Sequence, residues 1–111
     1  MEYRELMSDS IKIFNERNAL YGDMKICLNR AAEISSLITG IHLTAHDVAL
    51  VLHALKLARL GNDRANKENY VDGINYYAFA GELLNVEDDQ VTKAMDELRA
   101  AIEPGKEQTN Y

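Results

Sequence analysis

The stretch TAHDVALVLHALKLARLG, residues 44–61, decides the fold. Thr44 and Asp47 have the spacing of a capping box, in which each side chain accepts from the other's backbone N–H, and Gly61 supplies a stop. Between them, at about 100° per residue, Val48 to Leu60 leave no wide polar arc. A helix from Ala45 to Leu60 that is apolar all round must be surrounded, so it is predicted to be the central third helix of an all-α bundle. Lys56 and Arg59 interrupt this surface, about 60° apart around the axis. A buried charge without a partner is costly, so carboxylates should converge here, from among Asp72, Asp23, Glu82 and Asp47. Asp72 ranks first, because a short connection folds the next helix back antiparallel and brings its start near Lys56.

Outward from this stretch, apolar residues keep helical spacing on both sides. Residues 2–18 place Leu6, Met7, Ser10, Ile13, Phe14 and Arg17 on one face of a first helix. A turn follows at Leu20-Tyr21-Gly22-Asp23, with Gly22 free to take positive φ and Asp23 able to cap a second helix that runs to Gly40. After a polar loop over residues 61–68, a fourth helix is expected at 69–84, with Tyr70, Val71, Ile74 and Tyr77 on one stripe and Tyr76, Phe79 and Leu83 on a second. Asn85 can cap a fifth helix whose first turn holds Glu87, Asp88 and Asp89, and whose apolar face is Val91, Ala94, Met95, Leu98 and Ile102. The expected organisation is one compact domain of about five helices over residues 1–103, with a C-terminal helix at 86–103 added to a module at 14–84, and a frayed tail at 104–111. Five helices in 111 residues can scarcely surround an apolar third helix, and the fourth has two apolar lines, so a homo-oligomer is expected.

Composition removes several function classes. Apolar residues make up 47% and charged residues 27%, which is the range of folded globular chains. Twelve basic against 18 acidic residues give a net charge of -6, so the surface as a whole attracts neither nucleic acid nor an anionic membrane. The charged start MEYRELMSDS does not read as a signal peptide, and no apolar run is long enough to span a membrane, so a cytoplasmic location is expected. A single cysteine, Cys27, excludes an intramolecular disulfide and fits a reducing compartment; it lies on the apolar stripe of its helix as a small hydrophobe. His46 and His53 share a helix face but stand about 10 Å apart, too far for one zinc ion, so with His42 they are expected at the edge of the core or in solvent and no metal site is assigned.

The polar cluster has two readings. Lys56, Arg59 and Asp72 can form a structural ion-pair network. Alternatively Lys56 and Arg59 hold a phosphate or carboxylate, Tyr21 and Tyr76 (or Tyr77) contact a base, and Asp23 and Asp72 orient the cations.

Three segments together carry a resemblance: Arg17-x3-Tyr21-Gly22-Asp23, then Thr44-x2-Asp47-Val48-Ala49 running into Leu55-Lys56-Leu57-Ala58-Arg59-Leu60, then Val71-Asp72 with Tyr76 and Ala78. Over residues 14–84 the chain resembles a family of small domains of unknown function encoded mainly by tailed bacteriophages and prophages, whose members often carry nucleotide-kinase or phosphofructokinase-like labels. Where that family usually reads Asp-Ile-Ala-Gly-Tyr, this sequence has Asp72-Gly73-Ile74-Asn75-Tyr76, which puts close packing at Asn75 in question. The resemblance implies a phage-encoded accessory protein. Combined with the polar cluster it leads to an expected nucleotide or nucleotide-derived ligand, sequestered or processed in counter-defence in the host cytoplasm.

A P-loop kinase is excluded, because Gly-x4-Gly-Lys-Ser/Thr is absent. An all-α nucleotide pyrophosphohydrolase, which would need magnesium, requires carboxylates in groups at helical spacing, and here Glu33, Glu82 and Asp72 stand singly on their helices. It remains an alternative, as does an acidic interaction protein that inhibits a host defence protein by direct binding. No other cofactor is expected.

Overall fold

The computed structural model describes residues 1–84 and 89–102, with side chains in the last helix from residue 96 onward. All regular structure among the described residues is helical: α1 Tyr3–Tyr21, α2 Met24–Thr39, α3 Ala45–Leu60, α4 Lys67–Glu82 and α5 Asp89–Ile102. The helix ends follow local chemistry. Asp23 accepts from the Lys25 N–H at 2.8 Å at the start of α2, and Gly40, at φ 72°, ends that helix with its N–H on the Ser36 carbonyl. The capping box at α3 is complete, with the Thr44 N–H on Asp47 Oδ2 at 2.9 Å and the Asp47 N–H on Thr44 Oγ1 at 3.1 Å.

Two boundaries differ from the sequence reading. α1 continues through Leu20 and Tyr21 to end at Gly22, so Tyr21 lies on a helix and not in a turn. α4 begins two residues early because Asn66 accepts from the Glu68 N–H at 3.0 Å and caps it, which moves Asp72 from the first turn to the second. The Asn85 cap, the acidic residues Glu87 and Asp88, the side chains of Asp89, Val91, Ala94 and Met95, and the tail at 104–111 lie outside the described residues.

The helices pack as a series of neighbours, α1 on α4, α4 on α3, α3 on α2 and α2 on α5. α3 is the middle member, as its sequence predicts. The α3–α4 pair is antiparallel, since His46 Nδ1 meets the Ala80 carbonyl while His53 Nδ1 meets the Gly73 carbonyl, both at 2.7 Å. A carbonyl only accepts, so each ring donates from Nδ1. The histidines expected at the core edge are therefore two clasps, seven residues apart on both helices. Ala45, Ala49 and Ala80 are buried with Leu28 and Leu83, and small side chains at these positions let α3 approach α4 and α2 closely. Burial of Leu28 and Leu83 is worth about 1.5–3 kcal/mol each.

α1 joins α4 through a polar seam. Buried Ser10 donates to the Leu6 and Val71 carbonyls, and the Asn75 amide donates to the Ser10 carbonyl at 2.9 Å. Asn75 thus ties the two helices together, and the packing questioned from the sequence is resolved by a hydrogen bond. At the other end of the seam Lys67 sits between the carboxylates of Asp9 and Glu5, which raise its pKa above the ordinary lysine range, the hydrogen bond it donates to Asp9 most. Arg99 grips Glu33 with two nitrogens at 2.7 and 3.1 Å and fixes α5 on α2. The second apolar line of α4 is covered within the chain: Phe79 packs on Phe14 at 5.6 Å between ring centroids, Tyr76 meets Phe79 edge-on, and Leu83 is in the core.

Two outcomes follow from these local features. A Cβ at Gly81 would meet nothing within 4 Å, so Gly81→Ala is expected to stabilise the chain by about 0.5–1 kcal/mol, read as a raised midpoint in urea unfolding. The Thr44 backbone N–H and hydroxyl hold the Asp47 carboxyl below its ordinary value of 3.8. A depressed folded-state pKa adds stability that is present above the unfolded value and lost as pH falls through the folded one. The stability difference between the native chain and Asp47→Asn is therefore expected to shrink as pH falls below about 5.

Candidate functional site

Asp72 is the most deeply buried charged residue described, with its side chain 3% exposed. Its position in the second turn of α4 points it between α1 and α3, and each carboxylate oxygen takes one cation. Oδ1 accepts from Arg17 Nη1 at 2.8 Å and Oδ2 accepts from Lys56 Nζ at 2.9 Å. One negative charge thus serves two positive charges, which leaves a local surplus of one. Lys56 is enclosed on the α3 side, whereas the Arg17 side chain is 38% exposed and uses only part of its five-donor fork on Asp72.

The exposed part of Arg17 opens into a cleft of about 270 Å³ between α1 and α4. α1 contributes Phe14, Arg17 and Tyr21, α4 contributes Asp72, Asn75, Tyr76 and Phe79, and Met24 closes it from α2. Tyr21 stands at the mouth, 68% exposed, and Tyr76 is half-buried opposite the arginine's helix. Chemically the cleft offers a planar cation, aromatic faces and a fixed carboxylate. That combination suits a planar, aromatic, anionic molecule.

The residues proposed from sequence are only partly brought together. Lys56 pairs with Asp72 as expected, and Asp72, Tyr21 and Tyr76 line one cleft. Lys56 touches Asp72 from the far side and does not line the cleft. Arg59 is displaced from the cluster: the 60° between it and Lys56 turns it out to solvent, and among the described residues it enters no ion pair. Asp23 is occupied as the cap of α2, Asp47 in its capping box, and Glu82 with Lys25 at 2.9 Å, so Asp72 alone of the four candidate carboxylates meets Lys56.

Arg17 is the member of the cluster that the sequence reading left out. Two signals pointed to it, its place on the inward face of α1 with Ser10 and Phe14, and its place at the head of the Arg17-x3-Tyr21-Gly22-Asp23 motif. Linking it to Asp72, 55 positions away, requires the packing of α1 on α4. Among the described residues no three His, Cys, Asp or Glu side chains converge in a way that could hold a metal ion. Among them also, no helix is long and apolar enough to cross a membrane.

Removing the shared carboxylate strands a buried ammonium. Asp72→Asn is expected to cost about 3–5 kcal/mol in urea unfolding, and a second change, Lys56→Met, to recover most of that loss. An equal loss in the double variant would show that Asp72 acts through packing and not through charge.

No curated protein and no solved structure matches the chain. A family match, however, covers residues 5–84, which takes in α1 but for its first two residues, α2 to α4, every residue of the cleft and the Arg17–Asp72–Lys56 triad, and leaves α5 outside. The chain belongs to the family described as a domain of unknown function, DUF6378.

Proposed function

We propose that the protein binds a nucleotide or nucleotide-derived anion in the cleft between α1 and α4. The observation that carries this reading is the half-exposed guanidinium of Arg17, held by a carboxylate that is shared with Lys56 and flanked by Tyr21 and Tyr76. The remaining N–H groups of Arg17 bind a phosphate or carboxylate, and the two tyrosines receive the base on their faces. Lys56 and Asp72 set the angle of Arg17 and keep the local charge positive. This assignment replaces Arg59 by Arg17 as the anion-binding arginine, and gives Asp23 a capping role. The cleft, at about 270 Å³, matches a mononucleotide or its base better than a dinucleotide.

The reading is one of binding. On the resemblance to phage and prophage domains, the protein is an accessory that sequesters such a molecule in counter-defence, in the cytoplasm of the host. A single half-buried cysteine, Cys27, accords with a reducing compartment.

The test is thermal unfolding of the full chain with AMP, GMP, CMP or UMP at millimolar concentration, and with inorganic phosphate. At least one mononucleotide is expected to raise the midpoint by several degrees, as a ligand at about 100 times its Kd adds about 2.7 kcal/mol. Tyr21→Ala, a change at an exposed position, should leave the unliganded midpoint unchanged and lose the shift; Arg17→Lys should weaken it. Absence of any nucleotide shift, or a shift indifferent to Tyr21→Ala, would overturn the reading.

A further inference from the structure

The outer face of α3 is independent of the cleft and of any ligand. Around this helix the buried side chains Ala45, Ala49 and Lys56 mark one direction, and Leu50, Val51, Ala54, Leu55, Leu57 and Ala58 occupy the opposite side, all exposed. Val51 is 64% exposed and Leu57 56%. Between Val48 and Gly61 no charged or polar side chain falls in this arc. The exposed apolar residues of α1 are different: Tyr3, Met7 and Ile11 stand among exposed Arg4, Ser8 and Lys12. With these exposures the α3 face offers on the order of 450 Å² of apolar surface, a large patch for one helix and over half of the ~800 Å² per partner of a standard interface.

The order of side chains along the face selects the occupant. Asp47, Leu50, Val51, Ala54, Leu57, Ala58 and Gly61 follow a seven-residue repeat that is centred on Ala54. If two copies of α3 lie antiparallel across a two-fold axis at Ala54, Leu50 faces the partner's Ala58 and Val51 faces the partner's Leu57. Ala54 meets its own counterpart, and Asp47 faces the partner's Gly61. Large residues meet small or complementary ones, no like charges are opposed, and alanine on the axis allows the helices to approach to about 8 Å. We infer that the protein is a two-fold homodimer closed through the outer face of α3.

The dimer accounts for a helix that is apolar on every side in a chain of five helices. One side is buried against α2 and α4, and the other against a second copy. The cleft at Arg17 lies between α1 and α4 and does not include this face.

Sedimentation velocity or light scattering on the full chain tests the assignment. The native protein is expected at twice the chain mass of 12.5 kDa. Ala54→Glu and Ala54→Lys each place like charges at the axis and should sediment as monomers with unchanged helical circular dichroism. An equal mixture of the two should return to the dimer mass, because opposite charges then meet across the axis. A native chain at the monomer mass, a dimer that survives Ala54→Glu, or a mixture that stays monomeric would overturn the proposal.

Discussion

The structure depends on one buried carboxylate placed between two cations. Asp72 joins α4 to α1 through Arg17 and to α3 through Lys56, so three helices meet at a single group. A buried ion pair adds little net stability by itself, but an incomplete one is heavily penalised. The constraint is therefore one of arrangement. α1 cannot shift along α4, and Lys56 cannot remain inside α3's packed side, without stranding a charge. Two further α1–α4 contacts, Ser10 with the Val71 carbonyl and Asn75 with the Ser10 carbonyl, are directional as well, and they hold the same register.

The α3–α4 pair supplies the platform on which this cluster stands. Alanines at positions 45, 49 and 80 bring the helices close enough for the rings of His46 and His53 to reach backbone carbonyls across the interface. Large residues on α3 are mostly displaced to its other side, which explains how the most apolar helix in the chain contributes mainly alanines to the buried core. A close-packed small-residue interface and an exposed leucine-rich face are two consequences of one distribution of side chains. The first needs only this chain; the second is the face assigned to the inferred dimer.

Charge placement connects the architecture to the cleft. The chain as a whole carries a net charge of -6, yet the buried cluster at Asp72 holds two cations and one anion, a local balance of the sign that the proposed anion requires. Arg17 belongs to both the framework and the cleft. Its bond to Asp72 restrains the guanidinium, which would lower the entropy lost in binding the anion proposed for the cleft.

The sequence by itself determined the helical class, the capping box at Thr44, the positive φ of Gly22, the Gly40 stop, the middle place of α3 and the pairing of Lys56 with Asp72. These rest on periodicity, on short-range hydrogen bonds, or on a connection short enough to bring two neighbours together. Only the tertiary structure decided that Arg17 and not Arg59 completes the cluster, that His46 and His53 clasp α4, and that Asn75 ties α4 to α1. Which way a side chain faces on its own helix follows from about 100° per residue, but what it meets there depends on how the helices are packed. Arg59 and Lys56 differ by one turn's remainder in sequence, and that small angle separates a solvated cation from a buried one.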